Sequence, residues 1–408
     1  MGDDGLVIIG AGLGGAKAAE GARAQGWDGP IRLCGDEQHV PYERPPLSKD
    51  VLSGSAQPRA ALVHDDSSFV AEDIDLLLGA AATGIDLDDR TVELDGGRRL
   101  RFAKLVLATG SSPRRLGVPG IDREHVYTFR TADDALALRD RLQPGHRLVV
   151  VGASWIGTEV AASARQRGCE VALIDPLDTP LERVLGPEVG AQFAALHAGH
   201  GVELHMGRGV EEIAGGDAVQ GVRLDDGTTL AADSVVIGIG VSPNVTLAER
   251  AGLDVDDGVL VDASLLASHP DVYAVGDIAN ALHPLHGARL RVEHWANALN
   301  QGLTAGANVA GGGQTYERIP YFFSDQYDMG MEYSGWPVPW DEVVFRGDPD
   351  EGAYVAFYLA EKRVVGGANV NVWDVNEHVA ALVRSGEPVD VARLTDPAVD
   401  PAEWVSSA

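Results

Sequence analysis

The stretch "LVIIGAGLGGAKAAE", residues 6 to 20, passes from four apolar residues through four glycines into an alanine-rich run. The apolar run reads as a buried strand and the run from about Leu13 to Gln25 as a helix, which predicts a strand–turn–helix unit. The turn carries Gly10-x-Gly12-x-x-Gly15, with Leu13 and Gly14 completing the first helical turn. Each glycine weakens regular structure by about 0.5–1 kcal/mol relative to alanine. That loss has a purpose if phosphates approach the backbone N–H groups at the helix start. A second strand, Ile31 to Cys34, is followed by Gly35-Asp36-Glu37, and Asp36 stands 21 residues past Gly15, where the acid that binds an adenosine ribose belongs. A glycine-rich turn in an ordinary α/β sheet accounts for the glycines alone. Strand, helix and acid in register point to a dinucleotide.

A near-copy follows the apolar strand Arg147 to Val151. It reads Gly152-x-Ser154-x-x-Gly157, with Ile156 in the first helical turn, a helix to about Gln166, a strand from Glu170 to Ile174 and then Asp175. Serine at the middle position makes the backbone approach less free. A carboxylate at Asp175 repels a 2′-phosphate, which predicts NADH rather than NADPH, although Arg183 a few residues on weighs the other way. Two dinucleotide sites in one chain suggest one bound redox cofactor and one exchanging one, and the simplest pair is FAD and NADH.

The 408 residues exceed what one hydrophobic core supports, so two or three domains are expected. No apolar stretch approaches the roughly 18–20 residues that cross a bilayer, and neither a basic leader nor a disulfide framework is evident. Cys34 and Cys169 are the only cysteines, so a cytoplasmic, membrane-free protein is the expectation. A net charge of −29 argues against nucleic-acid partners. An acidic partner would need a local basic patch, since screening acts over roughly 8 Å at physiological salt. The histidines of "HPLH" (283 to 286) are separated by a proline that spoils a helical ligand face, and no metal is expected.

Other segments then form a pattern. "KLVLATGSSPR" (104 to 114), "DSVVIGIGVSPN" (233 to 244) and "HPDVYAVGDIA" (269 to 279) resemble the crossover segments and second FAD motif of flavoproteins with two dinucleotide domains. "YERPPLSKDVL" (42 to 52), "FRTADDA" (129 to 135), "RVEHWANALNQG" (291 to 302) and "YFFSDQYD" (321 to 328) resemble the FAD-dependent NADH:ferredoxin reductases of bacterial oxygenase systems, over the chain from Leu6 to about Ser385.

The resemblance implies an α/β fold: two Rossmann-like dinucleotide-binding domains, for FAD and NADH, of the glutathione reductase type, plus a C-terminal α+β domain. The FAD domain would be split into residues 1–112 and 246–315, the NADH domain would span 113–245, and the last domain 316–408. "AYVAFYLAEKRVVGGANVN" would supply two strands turning near Glu361-Lys362, and the acidic tail after Ser385 a solvated appendage with a short helix.

The site residues follow from the same resemblance. Asp277 would hold the ribityl chain beside Gly276, while Ala82, Ala108, Thr109, Gly110, Arg44 and Arg130 would line the flavin. Val292, Glu293 and Trp295 would lie at its pyrimidine end, and Gly240 on the NADH side. Lys49 would reach the flavin, paired with Glu159. Prolines 45 and 46 stiffen that segment, which carries no cysteine where disulfide reductases place a redox pair. Phe323 stands where relatives place a tryptophan, which leaves a flavin-side aromatic and a plain core strand both open.

The implied reaction takes hydride from NADH to flavin and releases single electrons to a 2Fe-2S ferredoxin that serves an oxygenase. Arg44, Arg114, Arg115 and Arg130 would form the patch that meets it, and the protein would be a monomer or weak dimer. An NADH oxidase or rubredoxin reductase, and an NADH-sensing signalling flavoprotein, are the competing readings.

Overall fold

The computed structural model describes residues 4–405. The chain divides into two compact units, Met1–Glu43 with Arg59–Ser112 and Ser242–Pro320, and Arg44–Pro58 with Pro113–Val241 and Tyr321–Ala408.

Each unit contains one strand–helix–strand glycine element. In the first, strand β1 (Gly5–Ile9) leads into helix α1 (Leu13–Ala24) and then β2 (Ile31–Cys34). In the second, β3 (Arg147–Val151) leads into α2 (Trp155–Gln166) and β4 (Glu170–Asp175). β1 is buried along its whole length, which explains a continuous apolar run rather than an alternating one. α1 contains neither proline nor a β-branched residue and stops at Gly26, whose φ of +98° only glycine adopts without strain.

The parallel pairings repeat. Ile9 lies opposite both Cys34 and Leu107, in the strand Arg99–Leu107. Val151 lies opposite both Ile174 and Ile237, in the strand Ser234–Ile237. In both sheets the next strand in sequence pairs on one side of the central strand and a later one on the other. The order therefore reverses at the carboxyl ends of β1 and β3, where open α/β sheets bind ligands.

The second unit continues through α3 (Glu182–Gly199). In the first unit, α4 (Trp295–Val309) packs against α1. A Cβ on Gly306 would stand 2.1 Å from the Ala18 carbonyl oxygen, so the two helices meet backbone to backbone. Leu6, Ile8, Phe102 and Leu105 are fully buried in that unit's core.

The C-terminal segment of the second unit is an antiparallel sheet beginning with β5 (Tyr321–Gln326). Ala353–Ala360 and Arg363–Val370 turn at Glu361 and Lys362, whose φ values are +50° and +63°, the positive pair of a tight hairpin. Leu185, Val189 and Phe193 of α3 share a core with Phe322, Tyr333 and Tyr358.

The tail departs from the solvated appendage expected of it. Leu394 and Trp404 are 2% and 5% exposed, the Arg346 guanidinium donates to the carbonyls of Asp396 and Val399 at 2.6 and 2.7 Å, and its carbon lies 5.2 Å from the Trp404 ring. Acidic composition concealed two apolar anchors. Among the described residues no helix is long and apolar enough to cross a membrane.

Candidate active site: two nucleotide cradles and a buried ion pair

The glycine turns are near-duplicates atom by atom. Gly10 N donates to Cys34 O at 2.7 Å, and Gly152 N to Ile174 O at 2.7 Å. Their φ values are +113° and +102°, and a Cβ would meet Ala108 O at 2.1 Å and Gly238 O at 2.4 Å. Gly15 and Gly157 likewise press on the carbonyl oxygens of Gly10 and Gly152, where a Cβ would come within 2.0 and 1.9 Å. Gly12 differs, because a Cβ there meets no protein atom within 4 Å. Packing does not explain that glycine. An approaching pyrophosphate does, so the cradle fits a dinucleotide.

Ser154 leaves the second cradle more open than its side chain suggests. Its hydroxyl donates to Gly238 O at 2.7 Å and accepts from Gly157 N at 3.4 Å, so it caps α2 from the strand end. Ile156 and Gly157 form the first turn of that helix. Asp175 accepts from the backbone N–H groups of Ala153 and Leu177 at 2.8 and 2.9 Å, which anchors its carboxylate in the loop beside the glycine turn. Arg183 is exposed in the first turn of α3, and Gly240, at φ +95°, accepts from Arg114 N at 2.9 Å.

In the first unit the pairing register departs from the sequence count. Ile174 is the partner of Val151 as Cys34 is of Ile9, so Gly35, not Asp36, occupies the place of Asp175. Asp36 lies one residue farther on and is exposed. Glu37 is half-buried and accepts from the Tyr42 hydroxyl at 2.6 Å. Counting along the chain cannot distinguish the two acids, because the turn between helix and strand differs in length between the copies.

Other first-unit residues form a second ring of supports. Ala108 N donates to Ile9 O at 2.7 Å, and Thr109 and Asn244 exchange two hydrogen bonds of 2.9 Å, with Gly110 next in the chain. Buried Asp277 accepts from Ser111 Oγ at 2.6 Å, while Gln301 of α4 receives Gly276 N at 2.8 Å. Val292 is buried and Glu293 pairs with Arg291 at 2.5 Å, both ahead of Trp295, which begins α4. Ala82 opens the half-buried strand Ala82–Asp86.

Arg44, Lys49, Arg130 and Phe323 lie in the compact unit that contains the second cradle. There Arg44 Nη1 donates to Arg130 O at 2.5 Å. Pro45 and Pro46 lead into a single wide turn, Leu47–Val51, that carries Lys49. Its ammonium lies 2.8 Å from Glu159 Oε1 in α2 and 5.6 Å from the Phe323 ring centre. Side-chain exposures of 15% and 5% make this a buried pair, and loss of either partner alone would cost about 3–5 kcal/mol.

Three residues in this cluster escaped the motif reading. Ser48 donates to Glu159 Oε2, Ser324 donates to Glu159 Oε1 at 2.7 Å, and Gln326 stands behind Ser324. On β5, Phe322, Ser324 and Gln326 alternate inward while Tyr321, Phe323 and Asp325 are more exposed. Polar residues at every second position of a buried strand face were the available signal. His283 of "HPLH" faces Arg318 O at 3.0 Å. Among the described residues no group of three or more His, Cys, Asp or Glu could hold a metal.

With this geometry in place, the comparisons with known proteins are specific. The pyridine nucleotide-disulphide oxidoreductase family matches residues 4–302, and the reductase C-terminal family matches 321–404. The chain is 41% identical to the anthranilate 1,2-dioxygenase system ferredoxin–NAD(+) reductase component of Burkholderia cepacia, covering 98% of each chain. It is 36% identical to putidaredoxin reductase of Pseudomonas putida, covering 100% of this chain and 98% of that one. A crystal structure of the covalent putidaredoxin reductase–putidaredoxin complex superposes with a TM-score of 0.96 at 36% identity, covering 100% and 99%.

Proposed function

We propose, from the premise that the chain belongs to the pyridine nucleotide-disulphide oxidoreductase family, that it passes electrons from NADH through FAD to a 2Fe-2S ferredoxin serving an oxygenase. The protein is an enzyme, and its cofactors are FAD and NADH. Bound FAD supplies the conversion between a two-electron donor and one-electron exits.

The chain's own residues align the cofactors and neutralise charge. The first turn of α1, entered through Gly12, would receive the FAD pyrophosphate and the first turn of α2 that of NADH, while Gly10, Gly15, Gly152 and Gly157 keep the two turns tight against backbone carbonyls. The two amide donors on Asp175 fix its carboxylate beside the glycine turn, where it would accept from an adenosine ribose and repel a 2′-phosphate, which favours NADH. Thr109, Asp277 and their partners support the FAD cradle. The Ser48 and Ser324 hydroxyls fix the Glu159 carboxylate, which in turn holds the Lys49 ammonium, and we assign the catalytic role to Lys49 and Glu159.

The observation that carries the reading is this ion pair in a segment where dithiol reductases place their cysteines. The two thiols of the chain lie elsewhere and are buried, and burial pushes Cys34 up to about 12. These thiols offer no sulfur relay beside Lys49, so bound flavin would itself supply the one-electron exits. The relatives' names point to the same acceptor class. Two unpaired thiols also fit a reducing compartment, and we place the protein in the cytoplasm.

Purified protein should be yellow and should bleach anaerobically with NADH far faster than with NADPH. Cytochrome c reduction should then depend on an added 2Fe-2S ferredoxin. Rapid peroxide formation without any ferredoxin dependence would select an NADH oxidase instead.

A further inference from the structure

Behind Glu159 the polar chain runs deeper than a buried ion pair requires. The single hydrogen of the Ser324 hydroxyl goes to Glu159 Oε1, so Ser324 Oγ can only accept from Gln326 Nε2, 3.1 Å away. The other amide hydrogen of Gln326 reaches Thr158 Oγ1 at 3.0 Å, and Thr158 turns its own hydrogen to the backbone carbonyls at the start of α2, Ser154 O at 3.0 Å and Trp155 O at 3.1 Å. The Gln326 carbonyl oxygen therefore needs a donor, and His197 Nε2 of α3 stands at 2.8 Å. His197 Nδ1 is left as an acceptor, facing the Tyr327 hydroxyl at 3.3 Å, and the Tyr327 ring stacks on His200 at 3.6 Å. Every hydrogen in the chain has one consistent direction.

Ser324, Gln326, Thr158 and His197 are each at most 1% exposed. A polar network so deep costs desolvation that an apolar strand face would avoid, and when fully satisfied it fixes geometry. Burial pushes His197 down to about 4, so its ring is neutral at physiological pH and keeps one tautomer.

We propose that Gln326 and His197 are positioning residues that hold the Glu159 carboxylate, and through it the Lys49 ammonium, in one geometry; the inference rests on the reading that this pair serves electron uptake from NADH. Neither residue is assigned contact with a cofactor. Their effect passes through Ser324 to one oxygen of Glu159.

The test uses the flavin-loaded full chain, rapid anaerobic mixing with NADH, and ¹⁵N spectra of histidine-labelled protein. For Gln326→Leu and His197→Phe, the limiting rate of flavin reduction should fall by about threefold to tenfold while the NADH dissociation constant stays within about twofold, as expected when one supporting hydrogen bond is lost. His197→Gln returns an amide donor to the Gln326 oxygen and should restore the rate. The wild-type ¹⁵N spectrum should show His197 as the neutral Nε2–H tautomer, with its hydrogen-bonded signal lost in Gln326→Leu. Should that variant not fold, His197→Phe against His197→Gln carries the comparison. Wild-type rates in Gln326→Leu and His197→Phe, alongside slow reduction in Glu159→Gln, would overturn the inference and leave the functional reading intact. Equal losses in His197→Phe and His197→Gln would overturn it as well. A Glu159→Gln variant as fast as wild type would remove the functional reading itself.

Discussion

Lys49 and Glu159 are widely separated in sequence, yet their charges lie 2.8 Å apart beneath two serine hydroxyls. Resemblance to a family pointed to the pair, and the residues that hold it came only from the structure. Ser324 and Gln326 lie within the YFFSDQYD segment, whose pattern assigns them no role, and His197 lies outside every motif. His197 also has a consequence for stability. Its folded value of about 4 lies below the ordinary 6.5, so between those values the unfolded chain binds the proton first. The contribution is fully present above about pH 6.5 and is lost as pH falls toward 4. Between pH 7 and 5.5 this one group should remove about 1 kcal/mol of unfolding free energy. Urea unfolding at the two pH values should show that loss in the wild type, and His197→Gln should lack it. An equal pH dependence in both proteins would assign the acid sensitivity elsewhere.

Among the elements, α1 and α4 meet through small residues, and this contact supports the first cradle from behind. Gly306 has no room for a side chain beside the Ala18 carbonyl. Gly306→Val must push the helices apart, and such overpacking costs about 1–3 kcal/mol. Because α4 also carries Gln301, which holds Gly276 beside Asp277, the variant should lose flavin as well as stability. Thermal unfolding with a flavin absorbance ratio measures both, and a variant with full flavin content and unchanged melting would refute the close-approach argument. Both glycine elements were legible in the sequence to within a residue or two, since strand, turn and helix are written consecutively. The one-residue offset between Asp36 and Asp175 was not, because register depends on how β2 pairs with β1. The packed tail was missed for a related reason: Leu394 and Trp404 are single apolar residues without periodicity.

Over the whole molecule, a net charge of −29 would oppose approach of an acidic ferredoxin, and the proposed meeting patch is then tested through its local basic groups. Arg114 and Arg115 are exposed. The first donates to Val241 O at 2.9 Å, and the second faces Asp122 at 3.4 Å with both members of that pair nearly four-fifths exposed, a pairing that holds Arg115 only weakly. Reversing both charges should slow ferredoxin reduction while leaving NADH-to-ferricyanide turnover unchanged, and should alter the salt dependence of the first assay only. Equal losses in both assays would mean that the arginines hold the fold or the flavin. The sequence by itself determined the two nucleotide cradles and the class of cofactor, because each is written in short contiguous runs. Only the tertiary structure decided which hydroxyls, amide and imidazole stand behind Glu159, and which residue follows β2 in register. Hydrogen-bond partners of a buried charge are chosen by proximity in space, and segments as distant as Leu47–Val51, α2, α3 and β5 carry no periodicity that announces their meeting.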